Sequence, residues 1–259
     1  MILNEDILLR RDDKNISYLT LNRPKAHNAL SINLLEALIS ELDKIKNSPT
    51  RAVIIGANGP SFCSGHDLKE IKENSNRKSY KKLFNLCSKL MLSIINLPIP
   101  VIARVHSTAT AAGCQLVATC DLAIASDKSK FATPGVNIGL FCSTPMVALS
   151  RNVAKKQTME MLLTGDMIDA KTAKFYGLVN RVVQEKDLNK EIDILCKSII
   201  SKSSKTIAIG KKAFYKQAEL GLEEAYDFTS KVMVENMLMQ DAQEGVSAFI
   251  GKRNPEWEK

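Results

Sequence analysis

No CxxC pair occurs among the six scattered cysteines of this chain, and no stretch is both long and uncharged enough to cross a bilayer. The thiols therefore read as reduced and largely buried, and no membrane association is expected. Histidine is scarce: His27, His66 and His106 lie too far apart in sequence to suggest a metal centre. The opening MILNEDILLRRDD contains acidic residues and lacks a small-residue cleavage signature, so a cytoplasmic protein is expected. Aromatics make up only 5% of the chain and do not interleave with the lysines of segments such as KENSNRKSYKKLF. The net charge of +8 is thus mostly solubilising, with no nucleic-acid partner expected, although a nucleotide phosphate would be attracted by the same potential.

What is present is a core. With 259 residues and 45% apolar composition, the chain can bury a conventional core as one large domain or as a domain with a small appendage. NISYLTL alternates polar and apolar residues before the Asn22-Arg23-Pro24 turn, and RAVIIGA is an apolar strand that runs into the loop NGPSFCSG. Between them, Ser31 caps a predicted helix whose apolar face is Leu34, Leu35, Leu38, Leu42 and Ile45. A second helix over 79–96 uses Leu83, Leu86, Leu90 and Ile94 and stops before Pro98. The strand and helix order predicts an α/β fold with a largely parallel sheet. Short helices follow over 144–151, 155–163 and 170–176, then the strand LVNRVV. Beyond Glu185 only amphipathic helices are expected, burying Ile192, Leu195, Ile199, Ala225, Phe228, Val232 and Met239.

Between the strand PVIARV and the strand CDLAIAS lies Ala109-Thr110-Ala111-Ala112-Gly113-Cys114-Gln115. Small residues let a ligand approach the backbone, and a helix start there offers unpaired N–H groups to a carbonyl or developing oxyanion. The same residues equally suit tight helix-strand packing. Cys114 reads as a small buried helix residue, because nothing nearby suggests a Cys-His pair.

NRPKAHNALS, SFCSGHDLKEI, PVIARVHSTATAAGCQLVATCDLAIAS, FATPGVNIGL, MEMLLTGDMIDAKTAKFYGLVNRVV and EGVSAFIGKRNPEW, in that order and spacing, resemble the crotonase, or enoyl-CoA hydratase/isomerase, superfamily nearly end to end. The resemblance implies a ClpP-like spiral of ββα units over 1–195 and a helical oligomerisation region over 196–259, assembled as a trimer or dimer of trimers. It implies a role in fatty acid metabolism with an acyl-CoA or enoyl-CoA partner, whose coenzyme A moiety is the only cofactor-like group and is not permanently bound. The thioester carbonyl would be held by the backbone N–H groups of His66 and Ala112. Lys25, Ala26 and Leu30 would wrap the adenine and pantetheine, with Cys63, Ser64, Asp67 and Leu68 on the opposite wall. Lys69, Phe249 and Lys252 would meet the nucleotide end, the lysines as mobile point charges; each otherwise reads as a solvated helix charge.

The resemblance also exposes what is missing. Matching GCQL to the family's GCEL puts Gln115 where one catalytic glutamate stands, and FATPG puts Gly135 at the second. Ser143, in GLFCS, occupies the place of an aspartate used by some isomerases. An amide orients water without a carboxylate's basicity, and glycine supplies nothing. Loss of one acid-base group costs about 10²–10⁴ in rate, so weak or absent hydration is expected even with an intact oxyanion hole. Restoring both glutamates would raise hydration unless the pocket's shape forbids it. His66 is the main replacement candidate: SGHD also resembles the loop of methylmalonyl-CoA decarboxylases, so a decarboxylase or isomerase stays open, as does a noncatalytic CoA-binding or interaction protein. Asn137 either points its amide at the acyl group or bonds within its own turn.

Overall fold

Alternating apolar residues make Ile16–Leu21 (β2) a strand, and it closes a hairpin with the unforeseen Leu8–Asp13 (β1) through Lys14 and Asn15, both at positive φ (48° and 64°). That left-handed pair matches the strand twist, while the charged exposed side chains of LLRRDD conceal β1 from an apolar-pattern reading. The computed structural model describes residues 6–258, so part of the MILNEDILLRRDD reading, residues 1–5, lies outside the described residues. Ser31 caps the helix Ile32–Lys46 (α1), its side chain accepting from the Leu34 N–H, and the five apolar residues named above are all buried.

Strand Ala52–Ala57 (β3) lies parallel to β2 and to Val101–Val105 (β5). Leu122–Ser126 (β7) and Arg181–Val183 (β10) complete a six-stranded sheet ordered β1-β2-β3-β5-β7-β10, in which only the hairpin is antiparallel. A second sheet orders Ser61–Cys63 (β4), Thr108–Thr110 (β6), Lys130–Ala132 (β8) and Ile168–Asp169 (β9). The chain therefore repeats a motif: a strand in the first sheet, a short strand in the second, then a helix back. The SFC segment, read as loop, is thus β4; three residues bounded by Gly, Pro and Ser give too little pattern to reveal a strand.

Consecutive residues of β3 face opposite sides. Val53 and Ile55 join the large core with α1 and the helix Arg77–Asn96 (α3), while Ala52 and Ile54 pack with Ile16, Ile102, Ile124 and, from helix Leu188–Ile200 (α8), Leu188, Ile192 and Cys196. All six cysteines are buried and unbridged, as expected. Short helices Leu68–Glu73 (α2) and Ala112–Thr119 (α4) flank the second sheet; α2 was not foreseen. Pro145–Leu149 (α5), Lys155–Thr164 (α6) and Ala170–Phe175 (α7) follow close to the expected positions.

The last helices are Ser204–Gln217 (α9), Leu222–Met237 (α10) and Gln240–Ile250 (α11). The middle of α9 is tied to the core by a buried lysine. Lys211 Nζ donates to the Ile94 and Ile99 carbonyls (2.9 and 3.1 Å) and to Asp121 Oδ2 (2.6 Å), and Asp121 Oδ1 accepts from Tyr215 (2.9 Å). Burial lowers the Lys211 pKa, against the pull of Asp121. Farther out, packing thins. Ala225, Phe228, Val232 and Met239 are half-buried rather than buried, as are Leu195 and Ile199; no residue of α10 is fully buried. Leu222 is 78% exposed and Phe249 86%. The amphipathic pattern identified these helices, but their apolar faces lack cover within one chain. None of the described helices is long and apolar enough to cross a membrane.

Candidate active site

Gly65, at φ 99°, threads between β4 and α2 hard against the turn that starts α4. A Cβ placed on it would lie 2.8 Å from Ala111 Cβ and 3.3 Å from the Ala112 nitrogen. This close approach brings the turn that carries His66 against the start of α4 at Ala112. Neither N–H has a hydrogen-bond acceptor among the described residues. Several tethers fix the pair: Leu30 N–H donates to Gly65 O (2.7 Å), Thr110 Oγ1 donates to Ser64 O (3.1 Å), and Ala111 N–H donates to Ala132 O (2.9 Å). Ala111 itself takes φ 49°, ψ −120°, an unusual backbone for a residue bearing a Cβ.

Gly113, the one glycine of ATAAGCQ, has a packing reason. A Cβ there would meet the Cys63 carbonyl oxygen at 2.2 Å, so α4 can sit this close to β4 only without a side chain. Tight packing and an unpaired N–H, posed as alternatives for this segment, coexist in it. Every residue of α4 is buried, including Gln115. Cys87 Sγ approaches Gln115 Oε1 at 3.9 Å, while the Gln115 amide nitrogen donates to nothing among the described residues. Burial pushes the thiols of Cys63, Cys87 and Cys114 up to about 12, which suits inert packing residues rather than nucleophiles.

The His66 ring stands edge-on to Phe84 of α3, centroids 5.5 Å apart, and neither ring nitrogen has a partner among the described residues. Burial lowers its pKa, so the imidazole is neutral at pH 7. The segment that would carry a second acid has closed on itself: Gly135 lies in the 3₁₀ turn Pro134–Ile138, and Leu140 N–H donates to its carbonyl (2.9 Å). A Cβ on Gly135 would be 2.6 Å from Leu140 O and 2.9 Å from Cys142 Sγ. Asn137 is exposed on the outside of this turn, its amide facing Gly165. Ser143 is exposed and, among the described residues, bonds only to Phe141. No carboxylate stands at any of these three positions.

On the other flank, the 3₁₀ turn Pro24–Ala26 presents Lys25 to solvent, with Ala26 half-buried and Leu30 fully buried. Asn28, buried at φ 54°, anchors the turn: its Nδ2 donates to Asn58 O (2.7 Å) and Ser61 O (2.8 Å), and its Oδ1 accepts from Arg23 N–H (2.8 Å). Asp67 caps α2 and pairs with Arg23 (2.8 Å). Burial pushes the Asp67 carboxyl up, but Arg23 and the helix amides bring it below its ordinary pKa. Glu70, three residues on, accepts from Ile32 N–H (3.0 Å) instead of returning to the cap, so α2 and α1 are joined. A cleft of about 340 Å³ opens here, lined by Arg23, Asp67, Lys69 and Glu70 among others. Ser64, Leu68 and Lys69 are exposed on its side of the molecule, whereas Phe249 and Lys252 project from the α11 end, which packs on α9 and α10.

The sequence reading missed Arg23, Asn28, Phe84 and Cys87. Asp67 and Glu70 carried the spacing of a helix start, which would have revealed α2. The contacts across α3 had no local signal.

A family model for enoyl-CoA hydratase/isomerase matches residues 11–259. The chain belongs to that family. It is 48% identical over 248 residues to the mouse protein named enoyl-CoA hydratase domain-containing protein 3, mitochondrial, covering 95% of this chain and 83% of the relative. The human counterpart is 49% identical over 243 residues, covering 93% and 80%. Among solved structures, an enoyl-CoA hydratase of Mycobacterium smegmatis superposes with TM-score 0.96 at 50% identity, over 98% of this chain and all of that one. The human domain-containing protein 3 superposes at 0.94 with 48% identity, over 97% and 100%. The crotonase fold follows from these likenesses. The cytoplasmic expectation is corrected by them: the relatives in mouse, rat, human, frog and zebrafish are all named mitochondrial. The absence of a leader pattern in thirteen N-terminal residues was too weak a sign to set against that kinship.

Proposed function

We propose that this family member binds acyl or enoyl thioesters of coenzyme A in mitochondria and hydrates enoyl thioesters slowly or not at all. The thioester oxygen accepts from the His66 and Ala112 amides, the adjacent donors left unpaired by the chain. Such donors stabilise the enolate-like charge that develops when chemistry occurs next to the thioester. Lys25 and Lys69, with Lys252 and Phe249, receive the nucleotide, while Ala26, Leu30, Cys63, Ser64, Asp67 and Leu68 wall the pantetheine. The thioester brings its own coenzyme A, and no resident cofactor is required. One observation carries the restriction on hydration: the turn at Gly135 is packed against Leu140 O and Cys142 Sγ, where a glutamate side chain would have to leave the backbone. Gln115 is left without a carboxylate partner to activate water.

The exposed apolar residues of α9–α11 support assembly of copies through 196–259, as a trimer or dimer of trimers. Sedimentation equilibrium checks this; a monomer at micromolar concentration would refute it. For the thioester site, crotonyl-CoA is incubated with purified protein, with turnover followed by mass spectrometry and binding measured in the same samples. Binding with little hydration is expected. Rapid hydration would overturn the reading of Gln115 and Gly135, and absence of binding by a folded oligomer would overturn the site itself.

A further inference from the structure

We propose that the acyl end of this site recognises a hydrogen-bond-accepting oxygen on the acyl chain, beyond the thioester carbonyl, through the His66 ring and the Gln115 amide. The inference rests on the thioester reading above and adds the class of acyl group.

The His66 ring leans on Phe84, and Gln115 touches Cys87. Phe84 and Cys87 are three residues apart on α3, which makes them neighbours on one helix face. His66 and Gln115 therefore approach the same face of α3, one through an aromatic edge and the other through a thiol. Both are polar, and both keep donor capacity that the chain leaves unused. The two His66 ring nitrogens are shielded from solvent without a partner among the described residues. With Oε1 turned to Cys87, the Gln115 Nε2 hydrogens find no acceptor among the described residues.

A plain alkyl chain laid there would leave both groups unpaired and buried, an arrangement proteins avoid. An acceptor oxygen on the acyl chain would satisfy them. The surroundings favour such an oxygen: neither the Gln115 nor the Gly135 position brings a carboxylate to repel it, and Leu140 O and Cys142 Sγ already bond or pack against the Gly135 turn. The neutral imidazole donates from whichever nitrogen holds its hydrogen. A hydroxyl, an oxo group and a carboxylate share this acceptor chemistry.

Calorimetry separates them. Butyryl-CoA, 3-hydroxybutyryl-CoA, acetoacetyl-CoA and malonyl-CoA are titrated into the intact oligomer and into the variants Gln115→Leu and His66→Phe. At least one acceptor-bearing thioester is expected to bind about tenfold or more tightly than butyryl-CoA, the equivalent of a hydrogen bond gained on binding. In each variant that folds, the ratio is expected to fall to within about twofold. The preferred arm identifies the oxygen. Equal binding of all four by the wild type, or a preference unchanged by both substitutions, overturns the inference while leaving thioester binding intact. Failure of every thioester to bind, butyryl-CoA included, overturns the underlying reading as well.

Discussion

Two turns border the proposed acyl site, and they differ. The turn through Gly65 and His66 is held by Leu30, Thr110 and the close approach of Ala111, leaving its backbone donors free. The turn through Gly135 spends its backbone on itself, with Leu140 N–H bonded to Gly135 O and Cys142 Sγ filling the space beside the Cα. Main-chain chemistry survives a change of side chain as long as the peptide stays in place. Side-chain chemistry does not, and once the side chain is gone the loop can settle into the room it vacated.

The contrast can be broken most severely at Gly113. Gly113→Ala forces α4 off the Cys63 carbonyl and dislocates the Ala112 donor; a loss of about 3 kcal/mol, at the upper end for overpacking, is expected in denaturant unfolding, with thioester binding lost as well. Gly135→Glu tests the other turn. Expulsion of Leu140 and Cys142 should cost about 1–3 kcal/mol, and the double variant with Gln115→Glu should hydrate crotonyl-CoA no faster than Gln115→Glu alone. A clear gain would show that the turn reopens readily.

Ser31→Ala acts one step back from the first turn, since Ser31 caps α1 immediately after Leu30, the residue that bonds Gly65 and pairs with His66. About 1 kcal/mol of stability is expected to go, read as a lowered urea midpoint. The smallest effect is a pH slope. A histidine whose native pKa lies below the unfolded value of about 6.5 leaves stability complete above that pH and reduces it as pH falls toward the native pKa, because the unfolded chain takes the proton first. The thermal midpoint should therefore decline between neutral pH and pH 5.5, and His66→Phe should flatten part of that decline.

Much of the core was legible because its patterns are local. Ser31 with Leu34, Leu35, Leu38, Leu42 and Ile45 announced α1, and the buried runs of β3, β5 and β7 announced the main sheet. The second sheet was not legible. Its strands are two or three residues long, too short for alternation to register, and exist because they pair with one another. At the candidate site, motif order pointed to Gln115 and Gly135, but the crowding around Gly135 comes from Leu140 and Cys142 folding back through a turn. Likewise, no spacing rule joins His66 to Phe84 or Gln115 to Cys87. The outer helices showed the reverse problem: amphipathicity marked a face for Ala225, Phe228 and Val232, but a single chain does not supply what covers it.

Lys211 offers a different kind of handle. Its ammonium is sealed beneath α9 by carbonyls, a carboxylate and a tyrosine, and only 7% of the side chain is accessible. An amine-reactive label applied to the native protein will modify the surface lysines and pass this one by. Labelling of Lys211 then clocks the moment at which the helical layer lifts from the sheet, separating that event from the loosening of the outer helices in a mass spectrum.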